Sequence, residues 1–390
     1  MQNTSIVDSK IHLLTIFLFA AVGPFVLMAA PVIAQQLANE WSLSPTQVGT
    51  FFFVELGMMS FATIPAYFWV KRVSFRKASI FAVVLFALGN FLSIFAKNFD
   101  LLLLCRAISA LGGGTLMIIT LSSCSITAKP DRTYGLWVLS QVLLGALALF
   151  FLPRLFPHFG LKICYITMLI IICIAFPFHR YFADFLIQQK SNITRIQSQN
   201  SILGWIAVFA TLLFYIAIGG IWTFMSSIGI HAKIDPKFTN SILAISTLVG
   251  IIGCFLPSVI GDKFNRKYFL TLGYSLFILA LGLLLNQISQ NHLMVAILLF
   301  KFTWMFTIPF VLASVASQDN TGKLMNTVNL VVGGGLALGP IIAGKIIESS
   351  DNFNLLIIYS LVLLAISFAL VYLCNLGQSA ESSVKLVRAK

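Results

Sequence analysis

The sequence predicts an all-α integral membrane protein of twelve transmembrane helices in two pseudo-symmetric six-helix lobes. Three observations lead there. Only 9% of the 390 residues are Asp, Glu, Lys or Arg, and 59% are hydrophobic. A soluble domain carries roughly 25% charged residues, so this chain cannot cover itself with polar surface and its solvent must be lipid. Mean hydropathy, at +0.96, agrees. Apolar runs long enough to span a bilayer fall on either side of one long polar stretch, Gln188 to Asn200. A short basic motif also occurs twice, each time between two such runs: Val70-Lys71-Arg72-Val73-Ser74-Phe75-Arg76-Lys77, and Gly261-Asp262-Lys263-Phe264-Asn265-Arg266-Lys267. Arg76-Lys77 and Arg266-Lys267 stand 190 residues apart, close to half the chain. That is the organisation of a two-lobed membrane transporter built from an internal repeat.

The runs of the first half begin near Ile11, Gln47, Ala78, Leu101, Tyr134 and Ile163. Those of the second begin near Leu203, Asn240, Tyr268, His292, Lys323 and Phe353. The expected division is a first lobe at 1–187, a cytoplasmic linker at 188–202 and a second lobe at 203–390 with a short cytoplasmic tail. Lys10, the apolar run after it and Val32-Ile33-Ala34 could instead form a cleaved signal peptide. The run to Ala34 is long for a signal core, and its removal would break the six-plus-six symmetry. With the N-terminus placed in the cytoplasm, seventeen Lys and Arg fall in cytoplasmic segments and six in outer ones. The positive-inside rule therefore puts both termini inside, in a bacterial inner membrane.

The net charge of +13 invites a nucleic-acid reading. The basic residues form no patch or arm, however, and lie in connections between apolar runs, so no nucleic-acid partner is expected. The six cysteines sit in or at the edge of apolar runs without a C-x-x-C pair and read as small core residues. The histidines are scattered, and neither a metal nor a cofactor is expected.

The paired motifs resemble those of the major facilitator superfamily (MFS) across essentially the whole chain. That family's loop motif, Gly-x-x-x-Asp-Arg-x-Gly-Arg-Arg/Lys, is matched in its second half by Asp262 to Lys267, with Asn265 in place of glycine. The first copy keeps only Arg76-Lys77. Arg106-Ala-Ile-Ser-Ala-Leu-Gly112-Gly113-Gly114 is similar to the family's fourth-span pattern Arg-x-x-x-Gly-x-Gly, and Gly333 to Gly344, through Gly339-Pro340, to its eleventh span. The resemblance implies that Asp262, Arg266, Lys267, Arg76 and Lys77 gate the cytoplasmic side and that Gly339 and Pro340 act as hinges. It also implies a weak lock in the first lobe, where Lys71 or Arg72 occupies the acidic position: a carboxylate is favoured near a helix N-terminus and a lysine is not. The fifth span has Gly145 and Pro153 but lacks the Gly-Pro-x-x-Gly-Gly pattern of drug/proton antiporters, which argues against efflux.

Three charges lie within spans, where each is costly and usually functional or paired. Glu55 is about eight residues into the second span from the outer side, roughly 12 Å deep at 1.5 Å per residue. Arg106 lies somewhat shallower in the fourth span, and Lys301 about nine residues into the tenth. Glu55 could carry a proton as the cavity opens alternately, could form a static pair with Arg106, or could sit hydrated and idle. The resemblance implies a coupling role for Arg106. Lys301 has no acid in its own span and could face an anionic substrate group or snorkel outward. Trp304, Trp222 and Phe25 fall on spans that line the family's cavity and could stack on planar solutes. Gln141 and Asn329 could hydrogen-bond a solute or a neighbouring helix. The glycine runs at Gly112 and Gly333 lack the Lys-Ser/Thr of a phosphate loop and read as close helix approach at the lobe interface.

The expectation is therefore a secondary active transporter, not an enzyme, that moves a small organic solute, with a lean to an anionic or aromatic metabolite. No ATP motor is encoded and no sodium cluster is evident, so the proton is the default coupling ion. The alternative is a drug or metabolite efflux antiporter. A membrane-embedded enzyme would need converging His, Asp or Cys residues, and a sensor a large soluble extension. One chain supplies both lobes, so a monomer is expected.

Overall fold

In the computed structural model, residues 9–70, 72–183, 202–260, 266–286, 288–319 and 323–388 are described, and no strand occurs among them. The chain divides into two compact units, Met1–Ile193 and Thr194–Lys390. Among the described residues, ten helices are long and apolar enough to cross a membrane. The two remaining expected spans are a broken N-terminal helix and a helix of 17 residues, Arg266–Gly282.

In the first unit the helices are α1 (Lys10–Val22), α2 (Phe25–Met28), α3 (Ala30–Trp41), α4 (Pro45–Phe61), α5 (Thr63–Trp69), α6 (Phe75–Ile94), α7 (Phe99–Ser125), α8 (Pro130–Phe159) and α9 (Lys162–Ala175), then a 3-10 turn at Phe176–Tyr181. The second unit holds α10 (Ile202–His231), α11 (Pro236–Ile260), α12 (Arg266–Gly282), α13 (Gln290–Ala316), α14 (Lys323–Ser350) and α15 (Phe353–Arg388). Each expected span starts within four residues of a helix start. Two spans expected to be continuous are broken. The first is interrupted at Gly23-Pro24 and again at Ala29, because proline lacks the N–H that would continue the ladder. The second breaks at Ala62 between α4 and α5, three residues before Pro65.

Helix starts carry their own chemistry. Ser44 and Gln47 form a reciprocal capping box at α4, and Asn98 accepts from Leu101 N at α7, each satisfying donors that the helix cannot. Gly160 ends α8 at φ 64°. The Glu40 carboxylate accepts from Leu161 N at 2.6 Å just beyond it, and a Cβ on Gly160 would sit 2.7 Å from Glu40 Oε1.

The two units repeat one packing plan. In the first, α1 packs on α8, α4 on α7, α6 on α7 and α6 on α9. In the second, α10 packs on α14, α11 on α13, α12 on α13 and α12 on α15. Each pair in the second list lies six spans after its counterpart. Glycine sets the closest approaches: a Cβ on Gly112 would come within 2.4 Å of Phe86 N on α6, and one on Gly335 within 2.7 Å of Tyr215 Cβ on α10. These close contacts are made between helices of one unit.

Burial on α6 shows what lipid does to the usual pattern. Ala78, Ser79, Ala82, Gly89, Asn90 and Ser93 turn inward, while Phe81, Val84, Leu88, Phe91 and Phe95 are exposed. Small and polar residues let helices approach and satisfy one another, and bulky apolar ones face hydrocarbon at no cost. Cys105, Cys124, Cys164 and Cys374 are buried, but Cys173 is exposed on α9, so it is not the core residue the sequence suggested.

Candidate functional site

In the first unit α4, α6 and α7 bring four polar side chains together. Arg106 on α7 donates Nε to Glu55 Oε2 at 2.8 Å and Nη2 to Oε1 at 2.6 Å. Its third arm, Nη1, donates to Asn90 Oδ1 on α6 at 2.7 Å. Asn90 Nδ2 in turn donates to Ser109 Oγ and to Phe86 O, both at 2.8 Å. The Tyr165 ring from α9 lies 5.2 Å from the guanidinium carbon. Glu55 and Arg106 are both buried. A planar guanidinium matched to both carboxylate oxygens is the strongest geometry this pair can adopt. Glu55 and Arg106 thus form a buried ion pair.

The second unit holds a different arrangement. Lys301 on α13 is fully buried. Its Nζ has no hydrogen-bond partner and lies 3.9 Å from the ring centroid of Trp222 on α10 and 4.3 Å from that of Trp304, one turn along α13. The two indoles meet edge to face at 6.0 Å, and Phe300 stacks on Trp222 at 6.3 Å. Gly250 on α11 leaves the room that the lysine stem fills, since a Cβ there would meet Lys301 Cγ at 3.3 Å. Trp304 Nε1 is also buried without a partner. The snorkelling reading of Lys301 does not hold, because the ammonium turns into an aromatic cage, where cation–π attraction replaces part of its hydration.

Three of the residues nominated from sequence as solute contacts, Lys301, Trp304 and Trp222, thus converge. Phe25 on α2 and Gln141 on α8 belong to the first unit; both are buried, and Gln141 Nε2 has no partner. Asn329 lies on α14, with its side chain outside the described residues. Asp262 also falls outside them. Of the other gate residues, Arg76 donates to Phe182 O at 3.0 Å, and Arg266 to Ala313 O at 3.1 Å and Ser317 Oγ at 3.3 Å, at the C-terminal end of α13. There a cation meets the negative end of the helix dipole. Lys77 is exposed and Lys267 half-buried. Gly339 lies within α14 against α10, and Pro340 follows it inside the same helix.

Asn90, Ser109, Tyr165, Phe300 and Gly250 were not nominated from sequence. Only Asn90 carried a signal, as an amide in the middle of an apolar run. A cavity of ≈ 500 Å³ opens at the ends of α10 and α12, lined by residues that include His231, Lys233, Asn286 and Asn352, and none of the nominated residues lines it.

The description Major Facilitator Superfamily matches residues 13–198 and 207–386 of this chain. The protein belongs to that superfamily. No curated protein matches this MFS chain by sequence. Among solved structures, a mutant of the nucleoside transporter NupG aligns with a TM-score of 0.71 over 93% of this chain and 98% of its own, at 12% identity. The POT family transporter PepTSo aligns at 0.72 over 95% and 98%, at 10% identity. A bacterial homologue of the human lysosomal transporter Spinster, inward-facing and occupied, aligns at 0.68 over 94% and 97%, at 14% identity. At these identities the likeness is one of fold. As a member of that superfamily, the chain is a multi-pass membrane transporter of small solutes that works by alternating access.

Proposed function

We propose that this MFS protein moves a small organic solute bearing an anionic group, with planar or aromatic character, by proton-coupled transport. The observation that carries this reading is the Lys301 ammonium, fully buried, without a hydrogen-bond partner and enclosed by Trp222 and Trp304. A lysine ammonium has three donors and no acceptor capacity, so a carboxylate or phosphate oxygen is the group it lacks. The two indoles supply faces on which a planar solute can stack. Gln141 is a second candidate solute contact, through its unpartnered amide nitrogen. Glu55 and Arg106 hold α4 to α7 as a fixed pair. Both termini lie in the cytoplasm, and one chain works as a monomer in a bacterial inner membrane.

The test is uptake into liposomes containing the purified full chain. A panel of ionised aromatic acids, neutral nucleosides and cationic drugs is compared between wild type and Lys301→Met. Uptake of an aromatic acid that Lys301→Met abolishes supports the reading. Transport confined to nucleosides or cationic drugs, and indifferent to Lys301, overturns it.

A further inference from the structure

Proton coupling and anion binding raise the question of which side chain exchanges the proton. We infer that Lys301 serves both purposes: the amine takes up a proton and the solute anion together, and releases them together. This rests on the reading of Lys301 as the solute contact.

In the first unit the carboxylate buried within the spans is already engaged. Both oxygens of Glu55 are held by Arg106, and the remaining guanidinium arm is held by Asn90. Protonating Glu55 would break a bidentate pair and leave a buried guanidinium with one neutral partner. Lys301 stands in the opposite condition, with no partner to give up.

The surroundings of Lys301 explain why proton and anion would travel as a pair. α10, α11, α12, α14 and α15 all pack against α13. α10 presents Trp222 to the amine, and α11 presents Gly250 to its stem. α12 presents Phe277 to Phe300, the residue before Lys301, and Gly273 to Thr307 further along. No Asp or Glu occurs in α10 to α13. Their other charged or imidazole groups, His231, Lys237, Arg266, Lys267 and His292, sit within two residues of a helix end. The mid-helix tyrosines on these elements are engaged elsewhere: Tyr274 shares a hydrogen bond with Ser367, and Tyr215 packs on Phe214. On α14 and α15, Lys345 and Glu348 lie in the last turns of α14, and Tyr359 and Tyr372 lie along α15; none pairs with Lys301.

A charged amine here has only two ring faces as counter-charge, and burying a charge without an ion or hydrogen-bond partner is costly. A carboxylate arriving from the aqueous side supplies that partner, and a carboxylate meeting a neutral amine would lack one. Each ligand therefore favours binding of the other, and by linkage the favour is mutual. In the step itself the amine lone pair takes a proton from water on the side of entry and forms an ammonium–carboxylate pair. After the site opens to the other side the N–H bond breaks to water as the anion leaves. One proton crosses with one anionic charge.

Two readouts test this on the purified full chain. The first needs no solute. Lys301 lies against two indoles, so tryptophan fluorescence should show a pH transition in wild type and in folded Glu55→Gln that is absent in Lys301→Met. The second uses liposomes with an internal pH dye and three fully ionised probes, orotate, quinolinate and sulfobenzoate. Wild type should move protons with at least one of them. Lys301→Arg, whose charge is permanent, should keep solute-for-solute exchange while proton movement falls to background. Proton movement that persists in Lys301→Arg, or a fluorescence transition unchanged in Lys301→Met, overturns the inference. If no probe moves in wild type, the anionic-solute reading is what fails, and the fluorescence transition still decides whether Lys301 exchanges a proton.

Discussion

Both units place a cation on the span at the centre of the same closely packed triplet: Arg106 on α7, packed by α4 and α6, and Lys301 on α13, packed by α11 and α12. Their surroundings could hardly differ more. Arg106 meets a carboxylate with two arms and an amide with the third. Lys301 meets only ring faces and the gap left by a glycine. The same packing plan has been completed in one unit and left open in the other. A satisfied polar cluster inside a membrane ties helices together, whereas an unsatisfied one is held ready for something that arrives. Within one repeat, the two sites therefore differ in what they leave unsatisfied.

The contrast breaks most visibly at Arg106. Arg106→Met leaves Glu55 buried with no counter-charge, which should lower stability by about 3–5 kcal/mol. Thermal unfolding in detergent should show a large drop in midpoint, accompanied by low yield. Adding Glu55→Gln to Arg106→Met removes the stranded charge and should recover much of the loss. If the single variant unfolds like wild type, the pair is not what holds α4 to α7.

How much of this was legible beforehand follows from the physics of each feature. The spans could be read because hydrocarbon demands long apolar runs, and the repeat because basic connections recur at one spacing. Glu55, Arg106 and Lys301 stood out because a charge in such a run is rare. Their fates did not. Glu55 and Arg106 are 51 positions apart on different helices, and no local pattern in a lipid-exposed helix says which face turns inward. On α6, Asn90 shares the inward face with Ser79 and Ser93, and only packing reveals that it is the one that completes the guanidinium. The breaks at Gly23-Pro24 and near Pro65 were written in the sequence as prolines but were masked by unbroken hydropathy. The cage around Lys301 was half legible, since Trp222 and Trp304 were named as aromatic candidates, but Gly250, which makes its room, has no side chain to announce it.

The second unit should respond in the opposite direction. Lys301→Met keeps the length of the stem and, at a pH low enough to protonate the solute-free amine, removes a charge that has no partner. It forfeits two cation–π contacts worth about 0.5–2 kcal/mol each and escapes a larger desolvation cost. The balance should raise stability by about 1 kcal/mol, seen as a higher unfolding midpoint in the variant that loses transport. A fall in midpoint as large as that of Arg106→Met would mean that Lys301 is structural after all, and the distinction between the two units would collapse.

The finest test lies at Trp304, whose ring and whose N–H have separate consequences. Trp304→Phe leaves an aromatic face beside Lys301 and beside Trp222, so most of the packing survives. The smaller ring weakens the attraction for the ammonium by a few tenths of a kcal/mol, while loss of an indole N–H that is buried without an acceptor works the other way. These opposing terms should leave the unfolding midpoint nearly unchanged. Transport should not be so indifferent. An N–H held without a partner one turn along from an ammonium held without a partner forms, with it, a two-point donor, and a carboxylate has two oxygens to fill it. Weaker apparent affinity for an aromatic acid at unchanged stability would therefore assign the indole N–H to the solute. Unchanged affinity would confine Trp304 to the wall of the cage and leave Lys301 as the sole polar contact of that pair.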